Sequence, residues 1–253
     1  MPARILLLCT CFLANRIDAQ LKSDDSSLLN ASLSNVIKFQ DSVLGVNTHL
    51  YNGWQDPGYN HLAIGHPYFL TEVVQAGSVF YDDTYYPNVI LQYDLTQDNV
   101  VLTQFTDNRE NIAAEFRSVI RMALIKNKVG WFTTPGHEFV RLIADSSSIG
   151  MPGGFYERMY NGKTKLFVKR VKLYVEEIKG NDLERRYDPT TTYYVQKDGK
   201  YYNVRTQKSL LNLFKDKKRD LNTFIRSNKK RFKKNREQLI FETTRYYDQL
   251  TTH

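Results

Sequence analysis

Residues 155–205, FYERMYNGKTKLFVKRVKLYVEEIKGNDLERRYDPTTTYYVQKDGKYYNVR, decide the fold class. Phe167, Val171, Leu173 and Val175 occupy alternate positions of a run that begins at about Lys165. A period of two places those side chains on one face of a strand. Lys169 interrupts the face, and its long aliphatic stem is expected to carry the amine to the rim. Asn161-Gly162 separates Phe155–Tyr160 from this run, and Asp198-Gly199 separates Thr192–Gln196 from Tyr201–Arg205. Such pairs supply the positive backbone angles that two-residue hairpin turns require. The stretch therefore predicts antiparallel hairpins in series.

The same pattern extends toward the N-terminus. Val89, Leu91, Tyr93 and Leu95 alternate with Asn88, Ile90, Gln92 and Asp94, and a Thr96–Asn99 turn leads into a strand over Val100–Phe105. Asp82-Asp83 marks a further hairpin between Ser78–Tyr81 and Tyr85–Leu91. Within Asn111–Lys126, Ile112, Phe116, Val119, Ile120 and Ala123 fit a helix, whereas Val119, Ile120, Met122 and Leu124 fit a strand. The β surroundings assign its second half to strand. Residues 45–206 thus read as one antiparallel β domain, a sandwich or an open barrel.

From Gln207 the period changes. Leu210, Leu211 and Phe214 share a helical face, then Leu221, Phe224 and Ile225, then Phe232, Leu239, Ile240, Tyr246, Tyr247 and Leu250. Residues 207–253 are expected to form a basic helical extension, packed against the β domain or projecting from it. Breaks fall near Asp216 and near Ser227-Asn228, with Ser227 or Asn228 capping the last helix. The fold class is mainly β with a C-terminal α-helical extension.

Charge sharpens this division. Residues 215–236 hold eleven Lys or Arg against Asp216 and Asp220, a net +9 in a chain of net +8. The remainder is close to neutral.

The N-terminal residues 1–19 place a lone Arg4 before an apolar run from Ile5 to Ala14, with small Ala19 at the expected cut. That is the layout of a secretory signal peptide. The run is too short to span a bilayer, and no later segment is apolar over eighteen residues, so the sequence predicts no transmembrane helix. Cys9 and Cys11 leave with the signal, so the mature chain offers no thiolate nucleophile and no cysteine metal ligand. Residues 20–44 form a polar lead-in in which Leu29, Leu33, Val36 and Ile37 allow a short helix. A cysteine-free exported chain fits a bacterial envelope better than an animal extracellular fluid, with the periplasm or cell envelope as the expected location.

No catalytic motif stands in the sequence. Gly162-Lys163-Thr164 has the ending of a phosphate loop, but Glu157 occupies the position of its first glycine. Ser146–Ser148 lacks the nucleophile elbow. His49, His61 and His66, with Asp56 among them, place no pair on one helix turn, and we assign no metal and no cofactor. Adjacent carboxylates such as Asp82-Asp83 and Glu176-Glu177 diverge on a strand. The segment 50–69, LYNGWQDPGYNHLAIGHPYF, is different in kind, because its rings repay ordering by burying large areas. It reads either as an aromatic plug or as a ligand-binding loop using Tyr51, Trp54, Tyr59, His61, His66 and Tyr68. The basic extension adds a second candidate, an anionic-surface contact through Lys229, Lys230, Arg231, Lys233 and Lys234. Export argues against nucleic acid as the partner.

Leu50-Tyr51-Asn52-Gly53, Gly65-His66-Pro67-Tyr68-Phe69, Gly77-Ser78-Val79-Phe80-Tyr81-Asp82 and Val89-x-Leu91-x-Tyr93-Asp94-Leu95 follow one another in order. Gly154-Phe155-Tyr156-Glu157, Tyr160-Asn161-Gly162, Leu213-Phe214-x-Asp216-Lys217-Lys218 and Tyr246-Tyr247-Asp248-Gln249-Leu250 continue the set. As a set they resemble a group of exported proteins of Gram-negative bacteria that have no assigned activity. The resemblance implies a β-rich exported protein with a helical end and transfers no catalytic residue. The expectation is a non-catalytic envelope protein that binds a partner protein, a glycan or an anionic surface. The alternative is a hydrolase of envelope polymers working through a carboxylate and His61 or His66 near the 50–69 loop.

Overall fold

Alternation and turn chemistry generate one antiparallel sheet. The computed structural model describes residues 48–105, 119–144 and 150–252. The signal segment 1–19, the lead-in 20–44, Ser146–Ser148 and the first half of Asn111–Lys126 lie outside the described residues. The chain divides at Thr48, and His49–His253 forms one compact unit.

The strands in chain order are β1 (Trp54–Gln55), β2 (Gln75–Tyr81), β3 (Thr84–Asp94), β4 (Asn99–Phe105), β5 (Val119–Ala123) and β6 (Val129–Thr134). They continue with β7 (His137–Leu142), β8 (Gly154–Asn161), β9 (Lys165–Lys179), β10 (Asp182–Lys197) and β11 (Lys200–Asn203). The eleven strands form a single sheet in the order β1-β5-β4-β3-β2-β6-β7-β8-β9-β10-β11. It is two meanders laid side by side, joined where β2 pairs with β6.

One face of this sheet rolls around an aromatic core. Tyr93 on β3 packs edge-on against Phe139 of β7 at 4.9 Å and reaches Phe155 of β8 at 6.0 Å. Strands separated by β2 and β6 in the sheet order can meet in this way only if the sheet curls. The curl brings the end of β3 to β9, where the Lys172 amide donates to Leu95 O at 3.2 Å. This is the open barrel of the two expected alternatives.

The seam is filled by residues 63–69. Phe69 N–H donates to Tyr93 O at 2.8 Å, and Pro67 O accepts from Leu95 N–H at 3.0 Å. On the other side Ile64 N–H donates to Arg185 O at 2.8 Å, and Ile64 O accepts from Tyr187 N–H at 3.1 Å. The Lys172 ammonium donates to His66 O at 2.7 Å and Tyr68 O at 2.8 Å. This strap satisfies backbone groups that the rolled edges would otherwise leave open.

A second core lies on the same face further along. Four helices cover it: α1 (Gln207–Leu213), α2 (Lys218–Ser227), α3 (Lys229–Phe232) and α4 (Arg236–Thr251). Leu166, Val168, Tyr193, Val195 and Val204 pack against Leu210, Phe214, Leu221, Ile225, Phe232, Ile240 and Tyr247. The extension is therefore packed on the sheet. Thr206 and Ser209 form a capping box at the start of α1.

Three expectations are corrected. Asp82-Asp83 and Asp198-Gly199 take the positive φ of two-residue turns, but Asn161-Gly162 does not. There Asn161 pairs with Lys165, leaving a three-residue loop. Asp248 of α4 organises that loop, accepting from the Thr164 amide at 2.9 Å and its hydroxyl at 2.8 Å. Gly162 is required because a Cβ would collide with the Asp248 carboxylate and the Tyr160 hydroxyl. Lys169 does not reach the rim. Its ammonium is buried, donating to Asp98 at 2.8 Å and Phe155 O at 3.0 Å, because the turn before β4 brings a carboxylate over it. The last helix is capped by Asn235, which accepts from Gln238 N–H at 2.9 Å, since the chain breaks once more after Phe232.

Candidate functional site

The strap assembles most of the predicted aromatic residues. His61 lies 4.2 Å from the Tyr59 ring, Tyr59 meets Tyr68 edge-on at 5.5 Å, and His66 stacks near Tyr68 at 6.2 Å. Tyr59, His61 and His66 line an open groove of about 540 Å³ together with Thr71 and Glu72. Tyr68 is buried and packs against Tyr59 and His66 without lining the groove itself. Trp54 is not part of this group: it stands exposed on β1, paired with Ala123 at the far edge of the sheet. The Tyr51 side chain lies outside the described set.

A buried polar cluster anchors the strap. Arg121 of β5 donates to Asp56 at 2.9 Å, Gln92 at 2.8 Å and the Tyr68 hydroxyl at 2.6 Å. Its guanidinium also lies over the Tyr68 ring, 5.3 Å from the centroid. Burial is the main cause that lifts the Tyr68 phenol to about 12. The Tyr59 phenol is raised to about 12 chiefly by its hydrogen bond to Glu72, at 2.6 Å. His66 is held below its ordinary pKa, first by burial and then by the nearby Lys172 ammonium. Its Nδ1 is buried without a hydrogen-bond partner among the described residues.

These groups position a loop more than they assemble an acid–base pair. The groove's carboxylate, Glu72, accepts from a phenol. The imidazole–carboxylate contact lies elsewhere, where His137 Nδ1 stands 2.5 Å from Glu157 Oε1. Glu157 also receives Arg170 at 2.6 Å, and Arg170 bridges to Glu237 of α4 at 3.0 Å. This chain runs from β7 across β8 and β9 to the helices, and separates the two cores. Sequence reasoning missed it, although a signal existed: alternation puts Glu157 on the face of Phe155, and Arg170 on the face of Leu166 and Val168. Among the described residues no three His, Cys, Asp or Glu side chains converge as metal ligands.

The basic residues predicted for an anionic surface sit on α3 and the turn after it. Lys229, Lys230, Lys233 and Lys234 are exposed and form no ion pair with a described residue. Arg231 is committed to Glu242 at 2.7 Å. Asp216 is taken by Lys197 and the Tyr247 hydroxyl. Lys218, Arg219 and Arg226 on α2 are also exposed. No helix of the described residues is long and apolar enough to cross a membrane.

The chain matches no family model, no curated protein and no solved structure.

Proposed function

We propose that this chain is an exported, non-catalytic binding protein of the Gram-negative envelope, held on an anionic surface by its helical layer. The observation that carries the reading is the set of cations over residues 215–236 that have no carboxylate partner among the described residues. Exposed charge of one sign raises the local concentration of the opposite sign, and each lysine or arginine near an anionic membrane contributes about 1 kcal/mol. The apolar faces of α1–α4 are spent on the second core, so attachment is electrostatic rather than by insertion. The strap groove, with its committed carboxylate, supports binding better than hydrolysis.

Co-sedimentation of the full mature chain with vesicles tests this. Phosphatidylcholine vesicles containing phosphatidylglycerol should retain the protein at low salt, and pure phosphatidylcholine should not. Lys218→Glu, Arg219→Glu, Lys229→Glu and Lys230→Glu together should lower the partition more than tenfold. Equal retention on neutral vesicles, or an unchanged partition of the variant, would refute the reading. N-terminal sequencing of the native product should start after Ala19.

A further inference from the structure

Two grooves meet where the start of α4 leaves the sheet. The larger, about 680 Å³, is lined by Lys233, Lys234, Arg236 and Gln207. The smaller, about 410 Å³, adds Arg205 and Asn203. Both share Thr191, Tyr193 and Arg236, so they are arms of one recess. Each arm by itself has the size of a small-ligand site, about 300–1,000 Å³.

Among the described residues the recess is electrically one-sided. Its carboxylate, Glu237, accepts from the Tyr193 hydroxyl at 3.2 Å and pairs with Arg170 at 3.0 Å. Lys233, Lys234, Arg205 and Arg236 form no ion pair with a described residue. Arg236 lies over the Tyr193 ring, 5.2 Å from the centroid. A guanidinium over an aromatic face is drawn there by the ring's negative face, which holds the charge beside the recess. A pre-placed arginine fork flanked by two lysines and by threonine hydroxyls matches a compact dianion with several acceptor oxygens.

We propose that this recess binds a phosphate monoester, with Arg236 and Lys234 on the terminal oxygens, Lys233 and Arg205 neutralising the second charge, and Tyr193 fixing Arg236. The proposal deepens the anionic-surface reading and rests on it for the source of the phosphate, a lipid headgroup rather than a free phosphorylated compound. The exposed lysines of α2 and α3 then supply attraction, and the recess supplies selectivity.

The probes are glycerol 3-phosphate, a monoester, and dimethyl phosphate, a diester, titrated into the full mature chain and followed by phosphorus NMR. The monoester should bind about tenfold more tightly. Lys233→Ala with Lys234→Ala, both exposed positions, should remove that margin with an unchanged circular dichroism spectrum. Arg236→Lys should keep part of it and Arg236→Ala none. The α2–α3 charge-reversal variant should keep the soluble-probe margin. Vesicles matched for surface charge then separate the sources: phosphatidic acid should outcompete phosphatidylglycerol. Equal binding of the two soluble probes, or indifference to the Lys233/Lys234 change, overturns the recess as a phosphate site. Vesicle binding without a monoester margin overturns it while sparing the surface reading. A soluble margin with no vesicle binding sinks the surface reading and the lipid source, and leaves a free phosphorylated compound as the ligand.

Discussion

The hairpin of β9 and β10 carries two regions of opposite character on the same pair of strands. At its base Leu166, Val168, Tyr193 and Val195 are buried under the helices. Toward its tip Tyr174 pairs with Tyr187, Glu176 with Arg185 and Ile178 with Leu183, yet Ile178 is 76% exposed. The base is apolar on both faces through Leu166-Phe167-Val168, whereas Val171, Leu173 and Val175 keep a period of two toward the tip and still leave Leu173 55% exposed. A covering layer, and not the period, decides which becomes core. Without cover, the arm holds its register by cross-strand pairs: Arg185 with Glu176 at 2.8 Å, Arg186 with Glu177 at 2.9 Å and Lys179 with Glu184 at 2.8 Å. Charge on the arm is thus consumed internally, whereas Lys229, Lys230, Lys233 and Lys234 on the helical layer form no ion pair with a described residue.

Removing the cover should give the largest effect. Phe214 is fully buried and stacks on Tyr247 at 3.9 Å. Phe214→Ala should cost about 4 kcal/mol in urea denaturation. Ile178→Ala on the arm should stay within about 0.5 kcal/mol. Comparable losses at the two positions would erase the distinction between base and tip. The same coupling makes deletion of 207–253 a poor probe of binding, because it strips the second core as well as the charge.

The turn at the base offers a smaller contrast. Asp248→Ala leaves the buried Thr164 amide and hydroxyl without their acceptor, and should cost about 2 kcal/mol. The exposed Gly180-Asn181 turn at the tip has no such tether in a helix, so Asn181→Ala should leave stability unchanged. Hydrogen exchange at the Thr164 amide should accelerate in the first variant alone.

The strap that ties β3 to the arm gives the smallest effect and a pH signature. The His66 pKa is lowered in the folded chain. The unfolded chain therefore takes up the proton first as pH falls below about 6.5. The His66 contribution to stability is intact above that pH and is lost on acidification through the folded pKa. His66→Gln should flatten the melting temperature between pH 7 and pH 5. An unchanged slope would mean that the imidazole titrates freely in the groove.

The strands, the two hairpin turns at Asp82-Asp83 and Asp198-Gly199 and the helical period after Gln207 were legible, since each depends on neighbours within a few residues. The loop at Gly162 was not, because Asp248 lies 84 residues from Thr164. Lys169 misled for a related reason. A lysine on an apolar face satisfies its charge at the rim or with a buried carboxylate, and Asp98 is distant in sequence. The strap residues were recognisable by composition alone. Their backbone pairing with β3 and β10 depends on the curl of the sheet, which no local pattern encodes.

The junction of β2 with β6 bears on how the protein is made. β6 to β11 and the helices follow one another along the chain, so the C-terminal half meets its neighbours almost as soon as they are synthesised. β2 to β5 are made earlier, and β2 has an open flank until β6 arrives. That interval exposes unpaired amides beside Val79 and Tyr81 on a nascent polypeptide, a period when intermolecular strand pairing competes with correct assembly.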